Sequence, residues 1–262
     1  MSNANLNLAT VSSSLQTSKT MSDKYVWMDT EKLVNYLLGL TAKGTNDPIF
    51  ELVEIKNSRS KKAGRGKHIV RLRAFHEYQI GGDVCRPELV IVNSYDGSCP
   101  LRVEMGIFRL VCTNGMIVKS KDLGELKIRH MGTPEDAVRD IITQFAAKST
   151  TFIAAQQKLA ETILTDDQVV EFALKAAQTR WDKTFTSEDA EILLEVARPE
   201  DAGNSAWVVM NRIQEKILNG GYKLSGQKRQ TTAIKNGSEY VRVNAELFQL
   251  ASDYCEFEMV EG

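Results

Sequence analysis

Between Lys56 and His76 the chain carries eight basic residues and no acidic one: Lys56, Arg59, Lys61, Lys62, Arg65, Lys67, Arg71 and Arg73. Glu54 and Glu77 bracket the run. Two glycines, Gly64 and Gly66, sit within it, and strand-forming residues follow at once. The pattern reads as a basic hairpin tip whose charge continues down one strand. Lysine and arginine in such an arrangement neutralise phosphates, and glycines let the backbone approach them closely. Arg59, Lys61, Lys62, Arg65 and Lys67 are the expected phosphate contacts of the tip. Arg71 and Arg73 alternate with Val70, Leu72 and Ala74, so strand parity puts both arginines on the opposite face. Phe75 shares that parity and is the expected stacking platform for an unpaired base. Lys228 and Arg229, in a polar loop of the C-terminal half, are expected to close the other side of the surface.

No catalytic signature of comparable sharpness occurs. Gly39-Leu-Thr-Ala-Lys-Gly44-Thr45 resembles a phosphate-binding P-loop only at a glance. It lacks the lysine after its second glycine, and it ends a predicted helix where a P-loop must open one. Asp96-Gly97 and Asn114-Gly115 are explained as turns. No Ser-His-Asp or Cys-His grouping has a recognisable local context. Cys85, Cys99, Cys112 and Cys255 contain no C-x-x-C pair, and His68, His76 and His130 lack zinc-ligand spacing. The expectation is therefore free thiols, no metal, no cofactor and no enzyme activity.

The elements that must position these residues fall into two blocks. The 262 residues are 42% hydrophobic with net charge −1, enough for a sizeable core, and the basic run is a local asymmetry. No apolar run approaches the ~20 residues of a membrane helix, and no signal peptide is visible. Residues 1–22, rich in Ser, Thr and Asn, read as a disordered tail. Tyr25 to Leu40 is a helix, with Asp29 or Thr30 as cap. A meander follows, with strands at 49–55, 68–78, 88–93, 101–105, 107–112, 116–118 and 126–129. Thr133-Pro134-Glu135-Asp136 then opens a long helix to about Ile163. Further helices are predicted over 166–177, 187–197, 204–218 and 240–254. Segregated strands and helices imply an α+β fold, an antiparallel meander sheet covered by a long helix with a helical C-terminal half. The expected division is a core over 23–165, a helical region over 166–252 and an acidic tail over 253–262.

Three stretches carry a resemblance. They are Asn93-Ser-Tyr-Asp-Gly-Ser98 running into Arg102-Val-Glu-Met-Gly-Ile-Phe-Arg-Leu-Val-Cys-Thr-Asn-Gly115, the Thr133-Pro134 helix, and Asn204-Ser-Ala-Trp-Val-Val-Met-Asn-Arg-Ile-Gln-Glu215 ending in Asn219-Gly-Gly-Tyr222. Together they resemble a phage/plasmid-like family known as domain of unknown function 932. The resemblance implies a mobile-element origin and brings no catalytic residues. In outline, a meander followed by one long helix is also similar to phage single-strand annealing proteins, which bind DNA in a groove lined by a basic hairpin and assemble as rings.

The resulting expectation is a phage- or plasmid-encoded protein that binds single-stranded DNA in replication or recombination, with strand annealing as its extension. It is expected to form a homo-oligomer in the bacterial host cytoplasm, away from membranes. The acidic C-terminus is the expected docking peptide for a host or phage replication or transcription protein. The alternative is a non-enzymatic interaction factor that modulates a host defence or polymerase protein.

Overall fold

The structure is a computed structural model, and it describes residues 6–11, 28–57, 66–95, 99–110, 115–118, 125–126 and 134–255. Its architecture is α+β. Seven strands form one sheet: β1 (Phe50–Asn57), β2 (His68–Ala74), β3 (Tyr78–Ile80), β4 (Asp83–Asn93), β5 (Arg102–Arg109), β6 (Gly115–Val118) and β7 (Glu125–Leu126). The order is β1-β2-β4-β5-β6, with β3 on β4 and β7 on β5. The β1–β2, β2–β4, β3–β4 and β5–β7 pairs are antiparallel. The helices are α1 (Thr30–Leu38), α2 (Pro134–Glu161), α3 (Asp166–Gln178), α4 (Ser187–Leu194), α5 (Ala206–Asn219) and α6 (Gly237–Ser252). No helix among the described residues is long and apolar enough to cross a membrane.

The helices start where their capping chemistry dictates. Asp29 caps α1 by accepting from the Lys32 amide. Thr165 and Gln168 form a reciprocal capping box on α3, and Thr186 and Asp189 form another on α4. Ser205 caps α5. That helix stops at Gly220, at φ +65°, where a Cβ would lie 2.7 Å from the Thr232 carbonyl carbon. Only glycine fits there.

Two strand boundaries differ from the sequence reading. The strand predicted over 68–78 breaks after Ala74, and β4 begins at Asp83, five residues before the predicted start at Glu88. The break accompanies Pro87, which has no amide hydrogen to donate, and the earlier start follows from the turn at Gly81 and Gly82, at φ +58° and +87°, which folds β3 onto β4. Residues 83–85 of β4 pair with β3, whereas residues 88–93 pair with β2. The change of partner falls at Arg86-Pro87, opposite the bend at residues 75–77. Of the expected strand over 126–129, Leu126 lies in β7, and residues 127–129 lie outside the described residues.

The chain forms two compact units. Unit 1 comprises Met1–Glu77, Arg86–Ile107 and Lys119–Ser149. Its core takes Leu33, Val34 and Leu37 from α1, Val70 and Leu72 from β2, Leu89 and Ile91 from β4, Val103 and Met105 from β5, and Ile141 from α2. Phe145 meets Phe50 edge-on at 5.6 Å between ring centroids. Unit 2 comprises Tyr78–Cys85, Phe108–Val118 and Thr150–Gly262. Phe152, Leu159, Phe172, Leu193, Met210, Ile213, Leu247 and Phe248 form its core.

A buried polar chain closes unit 1. Asn93 donates to Thr30 Oγ1 and to the Met28 carbonyl. Nδ1 of His68 lies 3.2 Å from the Gly66 carbonyl, which can only accept, so Nδ1 is the protonated nitrogen. In the neutral ring Nε2, 2.8 Å from Thr30 Oγ1, is then the acceptor. The Tyr95 hydroxyl accepts from the Thr30 amide and donates to the Val11 carbonyl, both at 2.7 Å. Leu8–Val11 thus forms a 3-10 turn with Val11 buried, which corrects the expectation of a structureless stretch at this point. The rest of the expected 1–22 tail lies outside the described residues.

Burial pushes the Tyr95 hydroxyl up to about 12. The folded chain therefore holds this proton more tightly than the unfolded chain, where tyrosine titrates near ~10. The stability it contributes is fully present below that unfolded value and is lost as pH rises toward about 12. Tyr95→Phe is expected to remove on the order of 2 kcal/mol of this alkaline loss, read from urea unfolding midpoints across alkaline pH. An alkaline profile unchanged by the substitution contradicts the assignment.

Candidate nucleic-acid interface

The basic run maps onto the β1–β2 hairpin of unit 1. Arg59, Lys61, Lys62 and Arg65 lie in the connection, outside the described residues, as does Gly64. Lys67, at the foot of β2, is half-buried and makes no ion pair with a described residue. Phe75 is 41% exposed just beyond the end of β2.

Arg71 and Arg73 need a correction. Their parity is as expected, but the face they share is covered, since Ile69 on the same face is 3% exposed and Arg71 is 6% exposed. β2 is an interior strand, with β1 on one side and β4 on the other. A guanidinium in such a place must be paired, because desolvating an isolated charge costs far more than one fold can supply. Glu88 of β4, wholly buried, supplies the charge. Its Oε2 accepts from Arg71 Nε at 3.0 Å and also from Nη2, and its Oε1 accepts from Arg73 Nε at 3.0 Å. Glu54 of β1 adds a longer contact to Arg71 at 3.5 Å and pairs with Lys56 at 2.8 Å. Arg86, Glu77 and Glu51 form a similar cluster nearby. The two arginines therefore hold strands together, and the charge read as a continuous stripe is neutralised on the strand.

Lys228 and Arg229 belong to unit 2, where they are exposed. They line an open hollow of about 430 Å³ together with Arg180, Trp181, Gln227, Gln230, Thr231 and Thr232. No carboxylate is among these lining residues, and none of the three cations forms an ion pair with a described residue. Arg180 and Trp181 escaped the sequence reading. Their signal was present as interleaved basic and aromatic residues, Arg180, Trp181, Lys183 and Phe185, directly after α3.

The frame around the hollow is tied down. Arg180 donates to the carbonyls of Ile217, in the last turn of α5, and Thr232. It thereby satisfies a helix-end carbonyl that has no partner within its own helix. Burial lowers its pKa from the ordinary guanidinium value, but an arginine remains charged at any physiological pH. Its guanidinium carbon lies 4.8 Å from the centre of the Trp181 ring. Trp181 is edge-on to Phe185 at 6.3 Å and to Tyr222 at 6.4 Å. The loop bearing Lys228 and Arg229 is closed at its base by hydrogen bonds between Gly221, Tyr222 and Thr231. Its near limb is pinned where Asp189 accepts from the Ser225 amide at 2.6 Å. Burial pushes the Asp189 carboxyl up, but backbone donors from Ser225 and Thr186 outweigh it and hold the group below the usual carboxylate range.

Polar groups elsewhere in unit 2 are turned toward one another. Arg109, 1% exposed, bonds both oxygens of Asp83, at 2.6 and 3.0 Å, and also Asp201 and the Glu200 carbonyl. The Trp207 indole donates to Asp83 at 2.9 Å, and Arg198 joins Asp201 to Glu215. Burial alone pulls the Arg109 guanidinium down, yet its hydrogen bonds to the two aspartates hold it above its ordinary value. This is the chemistry of a structural clamp. Cys85, Cys99 and Cys255 are buried, and Cys112 lies outside the described residues. Among the described residues no group of three or more His, Cys, Asp or Glu is arranged to hold a metal.

An α+β chain with an interior arginine-glutamate ladder, a buried Arg109 clamp and a cationic, aromatic hollow is the class that fold and site define. The chain belongs to the family described as Domain of unknown function (DUF932), which matches residues 18–245. It is 27% identical over 240 residues to the UPF0380 protein YfjQ of Escherichia coli (strain K12), covering 89% of this chain and 83% of that one. It is 29% identical over 191 residues to the UPF0380 protein YafZ of the same strain, covering 71% and 67%. No solved structure matches.

Proposed function

We propose that this chain binds single-stranded DNA through cationic surfaces, without a catalytic step, in replication or recombination, with strand annealing as the extension of that binding. The observation that supports this most is the lining of the unit 2 hollow. It combines three cations, an indole, amides and hydroxyls with no carboxylate. Surface arginine and lysine are ordinarily interspersed with acids, as on the β1–β2 face here, so an acid-free grouping around an aromatic ring favours an anionic ligand that has a ring of its own. The tip residues Arg59, Lys61, Lys62 and Arg65, with Lys67, add a second cationic stretch in the other unit.

The test is fluorescence anisotropy with a labelled thymidine oligonucleotide of about 16 nucleotides, enough to span one single-strand site. The two exposed cations of the hollow, Lys228 and Arg229, each neutralising one phosphate, give a log–log salt slope of about −1.4 or steeper. Affinity that does not change with salt, or tighter binding to duplex than to single strand, contradicts the reading.

A further inference from the structure

We infer that Arg180 and Trp181 form a stacking platform for one unpaired nucleobase, with Lys228 and Arg229 taking the phosphates beside it. This rests on the nucleic-acid reading above and deepens it by assigning a base subsite.

Arg180 has its flat face left to offer and not its edge. Its terminal nitrogens donate to the Ile217 and Thr232 carbonyls, which are neutral acceptors. Those donors are spent in the guanidinium plane, and no carboxylate of the described residues forms an ion pair with the group, Glu239 acting on its charge only through space. Such a group serves poorly as a phosphate fork but well as a flat cationic surface, since guanidinium planes stack on aromatic rings. One such contact is already made, to Trp181 at 4.8 Å. A base entering the hollow extends that stack or meets the indole directly.

The platform is also held before any ligand arrives. Edge-on contacts to Phe185 and Tyr222 fix the Trp181 ring. The carbonyls of Ile217 and Thr232 fix Arg180, and the hydrogen bond from the Ser225 amide to Asp189 fixes the loop that carries the two exposed cations. Ordering costs that a mobile site pays on binding are therefore largely absent. Gln227, Gln230 and Thr232 line the same hollow with side-chain donors and acceptors suited to base edges. In a duplex every base face is covered by its neighbours, so a platform of this kind accepts only an unstacked base.

The decisive comparison uses the intact chain and two oligonucleotides of equal length and charge, one of thymidines and one of abasic sugar-phosphates. The thymidine strand is expected to bind about tenfold tighter, the usual worth of one stacked base. Trp181→Ala and Arg180→Lys are each expected to bring the ratio of the two affinities, measured on the same variant, close to one. In a Trp27→Phe background, where the wholly buried Trp207 is the one other indole, tryptophan fluorescence is expected to be quenched by the thymidine strand alone, and Trp181→Phe removes that signal. Equal binding of both strands by the unaltered chain, with no tryptophan response, overturns the platform and leaves phosphate binding standing. Failure to bind either strand overturns both. Because the first comparison needs no variant, a substitution that unfolds the chain does not remove the test.

Discussion

Arg109→Ala lowers the unfolding free energy by about 3–5 kcal/mol, the expected cost of removing one partner from a buried ion-pair network. Asp83 and Asp201 are each under one-tenth exposed, and both lean on the same guanidinium. Without it, Asp83 keeps only the Trp207 indole as a named donor, and Asp201 keeps Arg198. The network ties a residue at the start of β4 to the end of β5 and to the turn before α5, all within unit 2. Urea unfolding followed by circular dichroism reads the loss. Arg109→Lys recovers little, because an ammonium cannot bridge two carboxylates and a carbonyl in one plane. A change below about 1 kcal/mol for Arg109→Ala, the size of an exposed pair, contradicts the clamp. This result also bears on the Phe108-Arg109-Leu110 block that carried the family resemblance. Its arginine is accounted for by architecture.

Glu88→Ala is expected to cost a similar amount, about 3–5 kcal/mol, because it strands two guanidinium groups on interior strand β2. Replacing one rung of the ladder with apolar residues of like volume, Arg71→Met with Glu88→Leu, is expected to recover about half of the loss, since well-packed hydrophobic residues match a buried ion pair while Arg73 still lacks Glu88. The two substitutions separate structure from binding. If Arg71 is a strand fastener, the apolar pair folds and binds a thymidine oligonucleotide with an unchanged salt slope. If the apolar pair folds well but its slope becomes shallower, Arg71 is reaching phosphate and its pairing with Glu88 does not hold.

Local chemistry was legible in the sequence, and long-range pairing was not. Asp29, Thr165, Thr186 and Pro134 mark helix starts because capping is settled within four residues. The α+β order followed from the change of hydrophobic period after residue 130. Arg71 was placed on the correct face by alternation, but alternation says nothing about what covers that face. That depends on β2 lying between β1 and β4, and on a register that sets Glu88 opposite Arg73. Arg109 and Asp201 stand 92 residues apart, beyond any local pattern. The break at Ala74 was recoverable in part, since Pro87 sits inside the strand that must change partners. Of the expected binding residues, Lys228 and Arg229 stand exposed in a hollow and Arg71 and Arg73 do not. The partners that give the hollow its character, Arg180 and Trp181, sit some 50 positions earlier in the chain.

The central claim is that exposed cations on this chain bind the phosphates of single-stranded DNA. Its most direct measurement is the salt dependence of oligonucleotide affinity for the full chain, for Lys228→Ala/Arg229→Ala, and for a variant with Arg59, Lys61, Lys62 and Arg65 all replaced by alanine. Removing one phosphate-neutralising cation makes the log–log slope shallower by about 0.7. The slope of the double variant is therefore expected to be shallower by about 1.4, and that of the quadruple variant by up to about 2.8. Slopes and affinities equal to those of the unaltered chain in both variants contradict the account.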